Sequence, residues 1–334
     1  MKKAELHQEK TSPDTLIEVS HLIKSFGNVK AVNGISFDVY KGEIFGFLGP
    51  NGAGKTTTIN MLIGLARSDS GTIRIAGLDC SANPKAAQHL IGVVPDESNL
   101  YPEFTGYDNL CFCAALYGIG KPERRKRAER LLQQFGLQEA AHRKFSGYSK
   151  GMKRKLTIAA GIIHEPEILF MDEPTTGIDV ASARQIRQLI SDLYQSGVTI
   201  FLTTHYIEEA ERLCERIAFI VDGRIAKNES VSALLQPIQN RKVLRVTLTR
   251  RIPDLTRKLM EFFPEYDFHF ESSHQLRVES GQTISIGPVI RFIEEHGAEV
   301  TEARQMKPSL EDVFVEITGL ETDVMKNEKT GRSA

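Results

Sequence analysis

Residues Gly49-Pro50-Asn51-Gly52-Ala53-Gly54-Lys55-Thr56 follow directly on the apolar run Ile44-Phe45-Gly46-Phe47-Leu48. A buried strand running into GxxxxGK[ST] and then into a helical pattern is a phosphate loop, and the rest of the chain has to be arranged around it. The glycines let the backbone fold tightly, so that successive N–H groups and the N-terminus of the next helix point at one anion. Lys55 then reaches the β- and γ-oxygens of a nucleoside triphosphate and Thr56 a Mg²⁺ ion. Gly49 through Thr56, with Thr57 behind them, is the expected nucleotide-binding set. A glycine-rich turn carrying Lys-Thr by chance would lack both the strand before it and the helix after it.

A length of 334 residues, at about 150 residues per domain, suggests two domains. Hydrophobic content of 41% and charged content of 25% are those of a globular protein, and a net charge of −1 gives no global reason to expect nucleic acid. Four scattered cysteines do not make a disulfide framework and fit a reducing cytoplasm. Cys111 and Cys113 stand two apart in a helical pattern and face different sides, which favours core packing over a metal site. Met1 to Asp14 has no apolar h-region, and no stretch reaches eighteen uninterrupted apolar residues. The chain is therefore expected neither to cross a membrane nor to carry a signal peptide, and any membrane role falls to a partner.

Leu16 to Ile75 is strand-rich, and its single early helix is the one launched by the phosphate loop. Thr105 to about Ile163 turns helical: Thr105 can cap Tyr107 to Tyr117, Gly118 and Gly120 stop that helix, and Pro122 opens the next. Strands return at Ile168-Leu169-Phe170-Met171, Val198 to Leu202 and Ile217 to Ile220, with a helix from Ala181 to Gln195. That alternation predicts a parallel α/β sheet. Beyond Gln236 the order strand, helix, strand, strand, helix, strand from Lys242 to Arg304 predicts a small ferredoxin-like unit, closed by a helix from Leu310 to Ile317. Arg124-Arg125-Lys126-Arg127 lies beside Glu123 and Glu129 and reads as a solvated helix face rather than a phosphate-binding patch.

Ile168 to Met171 ends in Asp172 and Glu173, which places two carboxylates at the C-terminal edge of a buried strand, where α/β sheets bind ligands. Asp172 suits the Mg²⁺ shell, and Glu173 the general base that holds the water attacking the γ-phosphate.

With these in place the chain resembles the nucleotide-binding subunits of ABC transporters, because the family's remaining motifs occur in order. Tyr148-Ser149-Lys150-Gly151-Met152 stands where the LSGGQ signature normally stands, matching at Ser149 and Gly151. A hydroxyl and an unobstructed backbone at a helix N-terminus can approach a γ-phosphate. Phe145-Ser146-Gly147 is the weaker frame. Gly177-Ile178-Asp179 resembles the D-loop, and His205 in Thr203-Thr204-His205 resembles the switch histidine. Phe26 stands where an aromatic stacks on adenine, although a core position is the alternative. Asp96, in Val94-Pro95-Asp96-Glu97, replaces the usual Q-loop glutamine. It either joins the Mg²⁺ shell through water or serves as a turn residue after proline.

The resemblance implies an α/β P-loop NTPase fold with an antiparallel β subdomain and an inserted helical subdomain at about 97–163. The expected organisation is a tail at 1–15, an ATPase domain at 16–235, an α+β domain at 241–320 and a polar, disordered tail at 321–334. The soft match of Pro308 to Phe314 points to the ABC-2-type exporter group. The resemblance also implies a head-to-tail dimer, either of identical chains or with a paralogous ATPase. ATP and Mg²⁺ would bind between Lys55, Thr56, Asp172, Glu173 and His205 of one copy and Ser149 and Gly151 of the other. A separate permease on the cytoplasmic face of the membrane would dock at Asp96 to Leu110, unless Leu100, Tyr101 and Phe104 pack internally. Regulation or dimer stabilisation is the implied role of the C-terminal unit. A soluble ATPase remodelling a protein or nucleic-acid assembly is the alternative, disfavoured by the absence of fused halves, a coiled-coil insertion or a basic face. A nucleotide sensor would not need Glu173.

Overall fold

The computed structural model describes residues 14–320; the expected tails at 1–13 and 321–334 lie outside the described residues. The chain begins with β1 (Thr15–Phe26) and β2 (Val29–Tyr40), a long antiparallel pair. Ile35, Phe37 and Val39 are buried and alternate with exposed neighbours, the period of a half-covered strand. After β3 (Ile44–Leu48) and α1 (Lys55–Leu62), β4 (Ser70–Ile75) and the short β5 (Leu78–Asp79) complete a four-stranded antiparallel sheet, ordered β2-β1-β4-β5.

A second sheet takes β3 as an inner strand. It adds β6 (Ile91–Val94), β7 (Ile168–Asp172), β8 (Thr199–Thr204), β9 (Arg216–Val221) and β10 (Arg224–Ser230), with α5 (Val180–Gln195) and α6 (Ile207–Leu213) between. The order is β10-β9-β3-β8-β7-β6, all parallel except β10, which turns back on β9. Every residue of β3 and β8 is buried, as in a strand covered on both faces. The two sheets share one core. Phe201 of β8, fully buried, lies within 6.0 Å, centroid to centroid, of Phe37, Phe45, Phe47 and Phe170.

Between β6 and β7 the chain is helical: α2 (Gly106–Leu116), α3 (Lys121–Gln134) and α4 (Lys150–Ile162). The Thr105 hydroxyl caps α2 by accepting from Asp108 N–H at 3.0 Å, as its sequence predicts. Pro122 opens α3 as expected, with Gly120, expected only to stop α2, serving as its N-cap. Cys111 and Cys113 sit half-buried on α2, and burial lifts the Cys113 thiol to about 11. Arg127 of the basic run is paired with Glu123 and Glu165.

The first compact unit reaches Val231, and a second spans Ser232–Glu316. The expectation had the break a few residues later. Val231 N–H is still tied to Glu215 carbonyl at 2.9 Å, and α7 (Val231–Leu235) starts there. The second unit contains β11 (Lys242–Leu248), α8 (Leu255–Phe262), β12 (Asp267–Phe270), β13 (Gln275–Ser280), α9 (Ile286–Glu295), β14 (Val300–Met306) and α10 (Leu310–Thr318), the last running just past it. Its sheet is antiparallel and ordered β12-β13-β11-β14, the split arrangement in which the first and third strands are central. Leu244, Val246 and Leu248 on one face pack with Leu255, Leu259, Val289 and Ile293 of α8 and α9.

Because Phe201 closes the core between the two sheets of the first unit, Phe201→Ala is expected to cost about 3–5 kcal/mol. Urea unfolding measures it; a loss below about 1 kcal/mol would mean that the cavity collapses and the ring joins little.

Candidate functional site

The parallel register sets the site. Leu48 of β3 pairs with Thr204 of β8, and Asp172 of β7 with Thr203. β6 ends beside them, with Val94 paired to Met171. The loops starting at Gly49, Pro95, Glu173 and His205 therefore leave one edge of one sheet, the C-terminal edge where α/β sheets bind ligands.

The phosphate loop turns between β9 and the start of β2. A Cβ on Gly49 would lie 2.1 Å from the Ile220 carbonyl oxygen, and one on Gly54, at φ 104°, 2.3 Å from that of Ala31. Only glycine fits either position. Gly54 caps α1 without a side chain, so the first-turn N–H groups at Lys55, Thr56 and Thr57 face the loop. The buried Lys55 ammonium donates to the carbonyls of Gly49 at 2.6 Å and Pro50 at 3.3 Å, and lies 3.5 Å from Glu173 Oε1. The Thr56 hydroxyl donates to Asp172 Oδ2 at 3.2 Å, while that of Thr203 donates to Asp172 Oδ1. A hydroxyl and a carboxylate side by side at the loop are the hard oxygen donors that Mg²⁺ uses with phosphates. Among the described residues no three His, Cys, Asp or Glu gather into a protein-only metal cage.

Glu173 has a left-handed backbone, φ 49°, and its N–H donates to Thr203 carbonyl at 3.1 Å. Its Oε2 lies 2.8 Å from His205 Nδ1 and accepts from the Thr176 hydroxyl at 3.2 Å. Burial alone would raise its pKa; the hydrogen bond from His205 and the charge of Lys55 outweigh that and hold the carboxyl below its ordinary value. Burial acts on Lys55 too, loosening its proton against the pull of Glu173 and Asp172.

Ser149 is the N-cap of α4, its hydroxyl accepting from Met152 N–H at 3.2 Å, whereas Phe145–Gly147 is a separate 3-10 turn. Ser149 thus stands at a helix N-terminus and Ser146 does not. Gly151 packs against α5, where a Cβ would meet Ser182 Oγ at 2.4 Å. Phe26 is 56% exposed beneath the Lys24 ammonium, so it is not a core residue. Leu100 is buried, whereas Tyr101 and Phe104 stack at 5.1 Å on the surface with Phe112 edge-on. Asp96 is half-exposed; burial, with Asp172, Glu173 and Glu97 nearby, raises its carboxyl against the pull of Arg154.

Two residues at the site escaped the sequence reading. Arg154 of α4 is buried and bonded to the carbonyls of Pro95 and Asp96. Glu209 of α6 is buried too, accepting from Thr204, whose hydroxyl also takes the Tyr206 N–H. For Arg154 the available signal was its position, three residues after Gly151 and four before Ile158 on the buried stripe of α4, although Lys153 and Lys155 on either side mask it.

Comparison with known proteins gives the same picture. Residues 32–176 match the model of the ABC transporter family. The linearmycin resistance ATP-binding protein of Bacillus subtilis is 40% identical over 234 residues, 70% of this chain and 75% of that protein. The Nod factor export ATP-binding protein I of a Rhizobium species is 36% identical over 313 residues, 92% and 98% of the two chains. A solved dimeric ATP-binding cassette in a post-hydrolysis state with ADP and phosphate is 26% identical, with a TM-score of 0.59, covering 65% of this chain and 99% of that one.

A carboxyl whose folded-state pKa lies below its unfolded value supports stability at neutral pH and loses that support as pH falls through the lowered value. For nucleotide-free protein, the unfolding free energy of wild type is therefore expected to shift against that of Glu173→Gln as pH drops below about 4.5. A difference independent of pH would contradict the ion pairing of Glu173.

Proposed function

The chain belongs to the ATP-binding subunits of ABC transporters and is an ATPase of that family, and from that premise we propose how its residues perform the work. ATP lies on the phosphate loop, with the N–H groups from Gly49 to Thr57 and the Lys55 ammonium taking the β- and γ-oxygens. Phe26, exposed beside the loop's supporting strand, stacks on the base. Thr56 and Asp172 would hold Mg²⁺, with Asp96 contributing through water, and the ion would supply charge neutralisation for the phosphate oxygens. Glu173 accepts a proton from the attacking water, and His205 orients its carboxylate. The observation that carries this reading is the Glu173 carboxylate itself, kept ionised between Lys55 and His205 beside the Asp172–Thr56 pair.

The signature residues complete the site from a second copy. Ser149 and Gly151 stand at a helix N-terminus apart from their own chain's loop, and a head-to-tail pair sets that N-terminus against the γ-phosphate. The dimeric cassette with ADP and phosphate supports such pairing. The pair consists of two identical chains or of this chain and a paralogue. Binding of ATP closes it and hydrolysis opens it.

The mechanical output is export through a separate membrane-spanning permease on the cytoplasmic face of the membrane. Among the described residues no helix is long and apolar enough to cross a bilayer. The exposed stack of Tyr101 and Phe104 is the contact for that partner, following directly on the Asp96 loop. The names of the relatives, resistance to linearmycin and export of Nod factor, support the export direction. Selectivity for the exported molecule resides in the permease.

Glu173→Gln is expected to bind ATP, accumulate as a closed dimer and turn over almost none; rapid steady-state hydrolysis would remove Glu173 as the base. Ser149→Ala is expected to lose about 2.7–4 kcal/mol of transition-state stabilisation in kcat/KM, by analogy with an oxyanion donor. An unchanged rate would move the signature elsewhere.

A further inference from the structure

A guanidinium in the interior needs a reason. Arg154 lies on α4, five residues past Ser149, and is 7% exposed. Its Nη1 donates to Pro95 carbonyl at 2.6 Å and its Nη2 to Asp96 carbonyl at 2.7 Å; the same Nη2 is 3.4 Å from Glu173 carbonyl and 3.6 Å from Asp96 Oδ1. One turn on, the Thr157 hydroxyl lies 2.8 Å from that of Ser98. One side chain thus touches three segments at once: the helix that begins at Ser149, the loop after β6 and the turn after β7.

The energetics point to position rather than stability. A buried cation costs several kcal/mol to desolvate, and apolar side chains of similar volume commonly fill such a place at no loss. What an apolar residue cannot do is fix two consecutive carbonyls with a planar fork. The third carbonyl belongs to Glu173, whose φ of 49° is a conformation that a non-glycine residue keeps only when its surroundings enforce it. Thr203 holds the N–H of that residue and Arg154 its carbonyl, so the carboxylate side chain emerges from a peptide pinned at both ends. Along α4 the distance from Arg154 to Ser149 is about 7.5 Å, at 1.5 Å per residue, with no break in the helix between them.

We propose that Arg154 is a positioning residue that makes the signature helix, the Asp96 loop and the Glu173 turn move as one body, so that engagement of Ser149 by the nucleotide of the partner copy also sets the Glu173 carboxylate for attack. The inference rests on the roles given to Ser149 and Glu173 above. It also gives the permease a route to the chemistry. The chain from Asp96 to Tyr101 and Phe104 is short, and a tilt imposed there pulls on the same guanidinium.

The test uses the full-length chain with Mg²⁺ and ATP, measuring ATP affinity, kcat and KM for Arg154→Ala, Arg154→Lys, Ser149→Ala and the double variant Ser149→Ala/Arg154→Lys. Arg154→Ala is expected to bind ATP as wild type does while kcat falls roughly tenfold to a hundredfold, the scale on which small misplacements of catalytic groups act. Arg154→Lys keeps the charge without the fork and is expected to recover only part of that loss, and it carries the test if the alanine variant fails to fold. In the double variant the two losses are expected to be less than multiplicative, because both break the same link. A wild-type kcat in Arg154→Lys, or fully multiplicative losses, would overturn the proposal. Glu173→Gln runs beside them. If it retains turnover, the reading of the base fails whatever Arg154 does; if it is dead while Arg154→Lys is fully active, only this inference fails.

Discussion

The nucleotide site depends on a single geometric constraint, the parallel register of β3, β8 and β7. Once Leu48 is opposite Thr204 and Thr203 opposite Asp172, the loops carrying Lys55, His205 and Glu173 have to leave the same edge at the same height. The register is held from below by an all-phenylalanine contact in which Phe201 meets Phe45, Phe47 and Phe170, and from the side by Phe37 of the antiparallel sheet. Aromatic packing thus decides where Lys55, Glu173 and His205 stand, and the charges of Lys55 and Glu173 can be buried only because they stand together.

Their mutual neutralisation has a direct functional meaning. An isolated buried carboxylate would take up a proton and could no longer serve as a base; the imidazole and ammonium around Glu173 prevent this. The Lys55 ammonium in turn bridges Glu173 and the carbonyls of Gly49 and Pro50, poised at the place where phosphate oxygens arrive. Ser149 lies outside this cluster, at the start of a helix with no acidic residue in its first turn. In the proposed head-to-tail pair a second copy brings the nucleotide to that helix, so that nucleotide binding would drive pairing.

Much of this was legible in the residues. The phosphate loop announces itself because only glycine fits at Gly49 and Gly54, and the acids at Asp172 and Glu173 because an apolar strand must end before them. The C-terminal unit was legible from its order of periods alone, and its sheet order β12-β13-β11-β14 is the one that order implies. What escaped were features set by tertiary contact. Arg154 sits within Lys150 to Lys155, a run that looks like solvated surface, and only packing against Pro95 and Asp96 turns it inward. Leu100 and Tyr101 are adjacent apolar residues of which one is buried and one exposed, a division no local pattern carries.

If a working site is built from two chains, complementation between two defective variants restores it. Two variants are prepared, Lys55→Ala and Ser149→Ala, each inactive or nearly so alone, and their ATPase activity is measured before and after mixing under conditions that exchange subunits. In a head-to-tail pair the mixed dimer holds one site with both lesions and one with none, so mixing is predicted to restore hydrolysis that neither variant shows. A mixture that stays as inactive as its components, with mixed dimers shown to have formed, would mean that Lys55 and Ser149 serve the same nucleotide within one chain.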